Sequence, residues 1–321
     1  MPILAASAAN IAAAARRLRA GELVAFPTET VYGLGADARD ADAIAKIYAR
    51  KGRPAWNPLI VHVEDIAAAR QIAVWNERAQ ALAERFWPGP LTLVLPGLGA
   101  VCAAVSAGLS TVAVRAPAHP VALALLRQSG LALAAPSANR SMQISPTRAV
   151  HVRESLGEEI WILDGGNCEV GLESTVLDLG RARPAILRPG ALGARDLEPL
   201  VGELSAPTAP EAEAPRASPG QMQRHYAPRA PLHLFSHLTD AHFLAVTLGA
   251  GKKLGVIALE PTTLAAREIA LPAEPTLYAR GLYAALHELD AAGVELILVE
   301  RVPETPPWNA VRDRLQRAAT P

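Results

Sequence analysis

The sequence predicts an α/β protein, with a mixed sheet flanked by helices and a second, smaller α/β domain after it. Three observations predict it. Short runs rich in Val, Ile and Leu alternate with amphipathic stretches. Several strand-like runs follow one another without an intervening helix, which makes the sheet mixed rather than purely parallel. The alternation stops near residue 203 and resumes beyond residue 230. Taken in order, residues 3–18 form an alanine-rich first helix that runs into a strand at 23–26. A turn rich in hydroxyl groups and glycine follows, PTETVYGLG from Pro27 to Gly35. The next amphipathic helix ends at Lys51-Gly52-Arg53-Pro54, where glycine and proline stop it. Residues 58–63 read as a strand, 65–86 as a helix, and 91–95, after Pro88-Gly89-Pro90, as a strand. Strands at 111–114, 131–135, 160–163, 175–179 and 185–187 are interleaved with helices over 120–127 and 147–156. Beyond 230 come a buried strand at 254–259, a helix at 277–292, a strand at 295–300 and a closing helix at 308–319.

Length and composition bound the function. A chain of 321 residues exceeds one ordinary core and divides into domains, drawn here as 1–202, a linker and strip over 203–229, and 230–321. The 31 basic and 31 acidic residues cancel, so no whole-molecule field draws in nucleic acid or membrane, and an anion site must come from local placement of Lys and Arg. The two cysteines, Cys102 and Cys168, have no metal-ligand spacing and suit a reducing, cytoplasmic setting. Arg16, Arg17 and Arg19 follow the first apolar run instead of preceding it, the reverse of a secretory signal. No stretch reaches the ~18–20 uninterrupted apolar residues of a membrane span.

Two segments stand apart. Residues 203–217, ELSAPTAPEAEAPRA, read as an extended linker. Residues 218–228, SPGQMQRHYAP, read as an ordered docking strip, because Arg224, His225 and Tyr226 would be idle in open solvent. Gly249-Ala250-Gly251-Lys252-Lys253 superficially resembles a phosphate loop. Its first glycine is misplaced and Lys253 stands where a Ser or Thr would meet magnesium, so it reads as a solvated loop.

The chemistry-bearing residues gather at the ends of apolar runs. Lys51 and Arg53, one residue apart at a broken helix end, can converge on one anion, although cations at a helix C-terminus also serve simply to offset its dipole. Facing a solvent-filled crevice, Arg53 would add little to stability. Polar groups also end or begin the runs Ser110 to Arg115, Ala135 to Asn139, Glu173 to Asp178 and Leu187 to Gly190. Converging strand ends are how open α/β sheets build ligand sites. Thr30 and Ser174 could equally be turn caps, and His62 on an apolar strand could be a core histidine. Arg115 on such a strand is harder to explain away, since an unpaired buried guanidinium costs several kcal/mol.

The ordered set PTETVYGLG, KGR, NPLIVH, TVAVR, APSAN, ESTVLDL and LRPGA resembles the threonylcarbamoyl-AMP synthase family, with its YrdC-type catalytic domain, over about two-thirds of the chain. The strip and the second domain resemble the long form of that family. The resemblance implies a YrdC-type twisted mixed sheet and a smaller Rossmann-like α/β C-terminal domain. It implies a nucleotidyltransferase that condenses L-threonine, bicarbonate or CO2, and ATP with Mg2+ into threonylcarbamoyl-AMP and pyrophosphate. The product would pass to a tRNA threonylcarbamoyl transferase complex, for the first step of N6-threonylcarbamoyladenosine formation in tRNA. Direct tRNA binding would be weak at most. In the roles this implies, Lys51 and Arg53 are catalytic and hold ATP phosphates, and Arg188 is a second phosphate or ribose contact. Arg115 takes the threonine carboxylate. Thr30, His62 and Ser174 meet the amine, hydroxyl and carbamate ends, with Ala135 offering its backbone. Asn57, Thr111, Ser137 and Ser145 meet the nucleotide, Asn139 joins them or stabilises its own turn, and Tyr226 caps the pocket as part of a lid. No residue is assigned to metal. Two alternatives stay open: a carbamoyltransferase working through carbamoyl-adenylate, and an RNA-binding module without catalysis, which the 4% aromatic content disfavours.

Overall fold

Ten short strands, numbered in chain order, lie side by side in the sheet order β1-β8-β2-β3-β7-β4-β6-β5-β9-β10. The computed structural model describes residues 3–205 and 223–320. The elements are β1 (Ile3–Ala5), α1 (Ala8–Arg19), β2 (Val24–Phe26), β3 (Gly33–Asp37), α2 (Ala41–Lys51), β4 (Ile60–His62), α3 (Ile66–Ala69) and α4 (Glu77–Phe86). They continue with β5 (Leu91–Pro96), β6 (Thr111–Arg115), α5 (Pro120–Ser129), β7 (Leu133–Ala134), α6 (Ala149–Leu156), β8 (Trp161–Asp164), β9 (Thr175–Asp178), β10 (Ala185–Arg188) and α7 (Ala194–Val201). The sheet is mixed: β4 runs parallel to β6 and antiparallel to β7, while β5 is antiparallel to β6 and parallel to β9.

Period-two alternation divides the central strands between two clusters. Val61, Leu91, Leu93, Leu95, Val112 and Val114 join the large core with Ile44 and Ile47 of α2 and Leu82 of α4. Ile60, Val94 and Ala113 point the other way, into a small cluster with Val176 and Leu187. By the same alternation His62, Thr92, Thr111 and Arg115 lie on that second face. Mixed pairing thus assembles polar groups from three strands on the thinly covered side of the sheet.

Several boundaries differ from the sequence reading for identifiable reasons. The first helix starts only at Ala8, capped by Ser7, because Ile3–Ala5 pairs in parallel with β8. The helix read over 65–86 is two, since the Asn76 side chain accepts the Ala79 N–H and starts α4 afresh. Gly33–Asp37, read as part of a turn, is a strand antiparallel to β2. Gly35 permits this: a Cβ there would lie 2.7 Å from the Phe26 ring, so only glycine lets the ring pack across the strand. Gly52 closes α2 at φ 59°, the left-handed conformation, and turns the chain so that Arg53 leaves the helix axis directly after Lys51.

The contacts divide the chain into two units, and the second takes residues 142–145, 170–172 and 222–321. Its four-stranded sheet is fully parallel, in the order β11-β14-β12-β13, from β11 (Leu232–Phe235), β12 (Leu254–Ala258), β13 (Arg267–Ala270) and β14 (Leu296–Glu300). Helices α8 (Leu238–Thr247), α9 (Pro275–Ala291) and α10 (Asn309–Ala318) complete it. β11, α8 and β13 are additional to the sequence reading. Gly249 to Lys253 is the turn between α8 and β12, exposed over Ala250 to Lys253. Of the linker and strip, residues 206–222 lie outside the described residues. Arg224 is exposed, whereas the Tyr226 ring stacks on Tyr283 at 5.8 Å, meets His225 edge-on and lies under the Arg314 guanidinium at 4.9 Å. Tyr226 is therefore anchored within its own unit.

Candidate active site

The turn after β2 organises itself before it can organise anything else. Thr28 Oγ1 donates to the Val31 carbonyl at 2.6 Å and accepts the N–H groups of Thr30 and Val31, which locks a tight hydroxyl turn. Its Oγ1 also lies 2.8 Å from Thr30 Oγ1. Arg115, at the end of β6, points into this turn. Its Nε donates to the Gly89 carbonyl at 3.0 Å, one terminal nitrogen to Thr30 Oγ1 at 2.9 Å, and the other to Glu29. The second Glu29 oxygen accepts the Ala118 N–H at 3.0 Å. Arg115 and Glu29 form a buried ion pair, their side chains only 4% and 8% exposed. A guanidinium has five N–H groups, so two remain after these three partners among the described residues.

His62 pairs with Arg115 in the β4–β6 register and meets the Phe26 ring edge-on at 6.2 Å. Its Nδ1 lies 3.3 Å from the Ile60 carbonyl, which can only accept, so Nδ1 carries the proton and Nε2 is the open acceptor. Burial, followed by the Arg115 charge, lowers its pKa to about 3. His62 is a neutral imidazole at physiological pH.

Lys51 and Arg53 are both buried and already hold protein oxygens. The Lys51 ammonium donates to the Ser137 carbonyl at 2.5 Å and to the Asn139 carbonyl. Burial, reinforced by the Arg53 guanidinium, pushes its pKa well below the ordinary lysine value. Arg53 donates to the Asn57 backbone carbonyl at 3.0 Å, to its side-chain oxygen at 2.6 Å and to the Pro58 carbonyl at 2.7 Å. The pair does not wait in a solvent-filled crevice. It cross-links α2 to the Ser137–Asn139 turn and to the approach to β4. Asn139 also donates from its side chain to the Arg140 carbonyl at 2.9 Å, a turn-stabilising bond. The Ala135 N–H donates to the Ile60 carbonyl at 3.0 Å.

Ser174, just before β9, makes the third cluster. Arg188 donates from Nε to the Ser174 carbonyl and from a terminal nitrogen to its Oγ, both at 3.1 Å. Ser174 Oγ lies 2.7 Å from Thr92 Oγ1. Gly190 allows the Arg188 loop to lie this close, because a Cβ there would fall 2.3 Å from the Thr175 nitrogen. Thr111 heads β6 while Arg115 ends it, about 13 Å away at the usual rise per residue. Ser145 belongs to the second unit, where its carbonyl lies 3.2 Å from His287 Nε2. Tyr226 belongs to that unit too.

Comparison with known proteins places the chain and its fold. A Sua5/YciO/YrdC family model described as telomere recombination matches residues 16–190, and a model for the threonylcarbamoyl-AMP synthase C-terminal domain matches 192–320. The chain belongs to the threonylcarbamoyl-AMP synthase family. Synthases of that name from Bacillus subtilis and Pyrococcus abyssi are each 43% identical over 97% of this chain and over 93% and 94% of their own lengths. A crystal structure of P. abyssi Sua5 complexed with L-threonine aligns with a TM-score of 0.92 and 42% identity, covering 98% of this chain and 95% of that one. Escherichia coli YciO, at 22% identity and a TM-score of 0.53, shares the fold over 60% of the chain.

For a member of this family, the sequence reading missed the residues that hold others in place. Glu29, Thr28, Thr92 and Gly89 each contact a candidate site residue. The cost of an unpaired buried guanidinium does foretell an acid beside Arg115, but nothing local singles out Glu29, 86 positions away. Among the described residues no group of three His, Cys, Asp or Glu side chains could hold a metal ion, and no helix is long and apolar enough to cross a membrane.

Two outcomes follow from the geometry. Arg53→Ala should lower the free energy of unfolding by about 2–3 kcal/mol, since it removes charge-assisted hydrogen bonds to the buried Asn57 side-chain oxygen and Pro58 carbonyl. Urea titration measures this, and an unchanged midpoint would return Arg53 to a solvated crevice. For His62 the folded pKa of about 3 lies below the unfolded value of about 6.5. The unfolded state therefore binds the proton first, and stability is lost as pH falls through that window. The stability gap between wild type and His62→Gln should narrow between pH 7 and pH 4.5; a constant gap would mean that His62 takes up a proton in the folded state.

Proposed function

We propose that the protein is a nucleotidyltransferase that condenses L-threonine, bicarbonate or CO2, and ATP into threonylcarbamoyl-AMP and pyrophosphate. The observation that carries the reading is the convergence of Thr30, His62, Arg115 and Ser174 on one face of the sheet, in a chain whose near-full-length relatives bear that activity as their name. The threonine amine attacks CO2 and loses a proton, giving a carbamate. A carbamate oxygen then attacks the α-phosphorus of ATP, and the bond to the β-phosphate oxygen breaks to release pyrophosphate. The carbamate is itself the nucleophile, so no Ser, Cys or His attack group is required. Catalysis rests on positioning and on neutralising negative charge.

The roles follow from what each group can still offer. Arg115, fixed by Glu29, Gly89 and Thr30, has two N–H groups left for the threonine carboxylate. Neutral His62 offers Nε2 as an acceptor towards the amine. Lys51 and Arg53 receive the ATP phosphates, and an incoming anion favours the Lys51 charge that burial disfavours. Arg188 adds a further cation, and Asn57, Thr111, Ser137 and Asn139 are the nucleotide contacts. Mg2+ arrives with ATP, as part of the substrate. The product is an activated acyl phosphate, which suits transfer to tRNA by a separate threonylcarbamoyl transferase complex. Free thiols at Cys102 and Cys168 fit a cytoplasmic setting.

Pyrophosphate release measured with threonine, bicarbonate, MgATP and each omission in turn should require all of them. Serine should be a much poorer substrate, because it lacks the γ-methyl contact. ATP turnover indifferent to the amino acid would favour the carbamoyltransferase instead.

A further inference from the structure

Thr92 lies inside β5 between β6 and β9 and is fully buried. Among the described residues its hydroxyl has one partner, Ser174 Oγ, at 2.7 Å. Ser174 Oγ has one more, a terminal nitrogen of Arg188 at 3.1 Å, and a guanidinium can only donate. One Ser174 lone pair is thus committed to Arg188. Two proton arrangements remain. If Ser174 donates to Thr92, the Thr92 proton is left in the sheet interior with no acceptor, which carries the cost of an unmet buried donor. If Thr92 donates to Ser174, both Thr92 and the two Ser174 lone pairs are satisfied. The one proton then left over is that of Ser174, at the strand mouth beside Arg188, where an incoming substrate can accept it.

We infer that Thr92 is a positioning residue that fixes Ser174 as a hydrogen-bond donor, so that Ser174 recognises an anionic oxygen of carboxylated threonine and not its amine. The inference rests on the reaction proposed above and adds a polarity to one of its contacts. A Ser174 with both lone pairs filled has nothing to offer an ammonium or amine N–H. It can give its proton to a carboxylate or carbamate oxygen, with Arg188 alongside to offset the charge.

The test is pyrophosphate release with saturating ATP and bicarbonate and varied threonine, for Thr92→Val, Thr92→Ser, Ser174→Ala and the Thr92→Val/Ser174→Ala double variant. Valine keeps the shape of threonine without its hydroxyl. Thr92→Val should lose about tenfold in kcat/KM for threonine, the worth of one hydrogen bond, with a melting temperature close to wild type. Thr92→Ser should restore most of the activity. In the Ser174→Ala background Thr92→Val should add no further loss, because Thr92 acts only through Ser174. Wild-type kinetics in Thr92→Val, or the same tenfold loss with Ser174 already removed, would overturn the inference. The reaction itself is judged separately: wild-type protein that releases no pyrophosphate in response to threonine would remove the reading on which the inference depends.

Discussion

A cation taken out of water must be given oxygen atoms to hold, and that requirement shapes the whole catalytic unit. Lys51, Arg53, Arg115 and Arg188 are all buried in a chain of zero formal net charge. Each is balanced locally. Lys51 uses two backbone carbonyls, Arg53 an asparagine and a proline carbonyl, Arg115 a carboxylate, a hydroxyl and a carbonyl, and Arg188 both oxygens of Ser174. At Arg115 the Glu29 carboxylate cancels the charge itself. The oxygens named around Lys51, Arg53 and Arg188 are neutral dipoles, which solvate a cation without cancelling it.

The fold supplies these oxygens by keeping its strands short. A strand of two to six residues soon gives way to a turn, and a turn exposes carbonyls that a longer ladder would consume. Mixed pairing then brings turns from opposite chain directions to one end: Gly89 precedes β5, Arg115 ends β6, and Ser174 precedes β9. The same strands bury Leu, Val and Ile on their other face, in the core beneath α2 and α4. Stability and chemistry are thereby assigned to opposite faces of one sheet; the glycines at 35 and 190 appear where ring or backbone must come closer than a Cβ allows, and Gly52 where the chain turns left-handed.

Much of this was legible in the sequence. Alternating apolar runs gave the α/β class, and the polar groups at their ends gave Thr30, His62, Arg115, Ser174 and Arg188, because those residue types disturb a strand pattern where they stand. Gly33–Asp37 escaped notice because two glycines in five residues look like a turn, and only the Phe26 ring lying across Gly35 makes it a strand. β11 and β13 are only four residues each, and His233 in the one and Arg267 and Glu268 in the other interrupt the apolar run. Glu29 and Thr92 were not legible as supporting residues, since their partners lie 86 and 82 positions away and their importance is purely spatial. The burial of Arg53 escaped for a related reason. A helix-end cation looks solvated until the loop at Asn57 and Pro58 is known to fold back over it.

The account stands or falls on the buried pair between Arg115 and Glu29. A double-mutant cycle with Glu29→Gln, Arg115→Met and the two combined, read by urea unfolding, measures it most directly. If the pair holds the turn and the strand end together, each single replacement strands a partner and costs about 3–5 kcal/mol, while the double variant costs clearly less than their sum. Strictly additive losses, or a Glu29→Gln protein as stable as wild type, would show that Arg115 does not depend on Glu29, and the central claim that buried site cations are held by dedicated oxygens would fail.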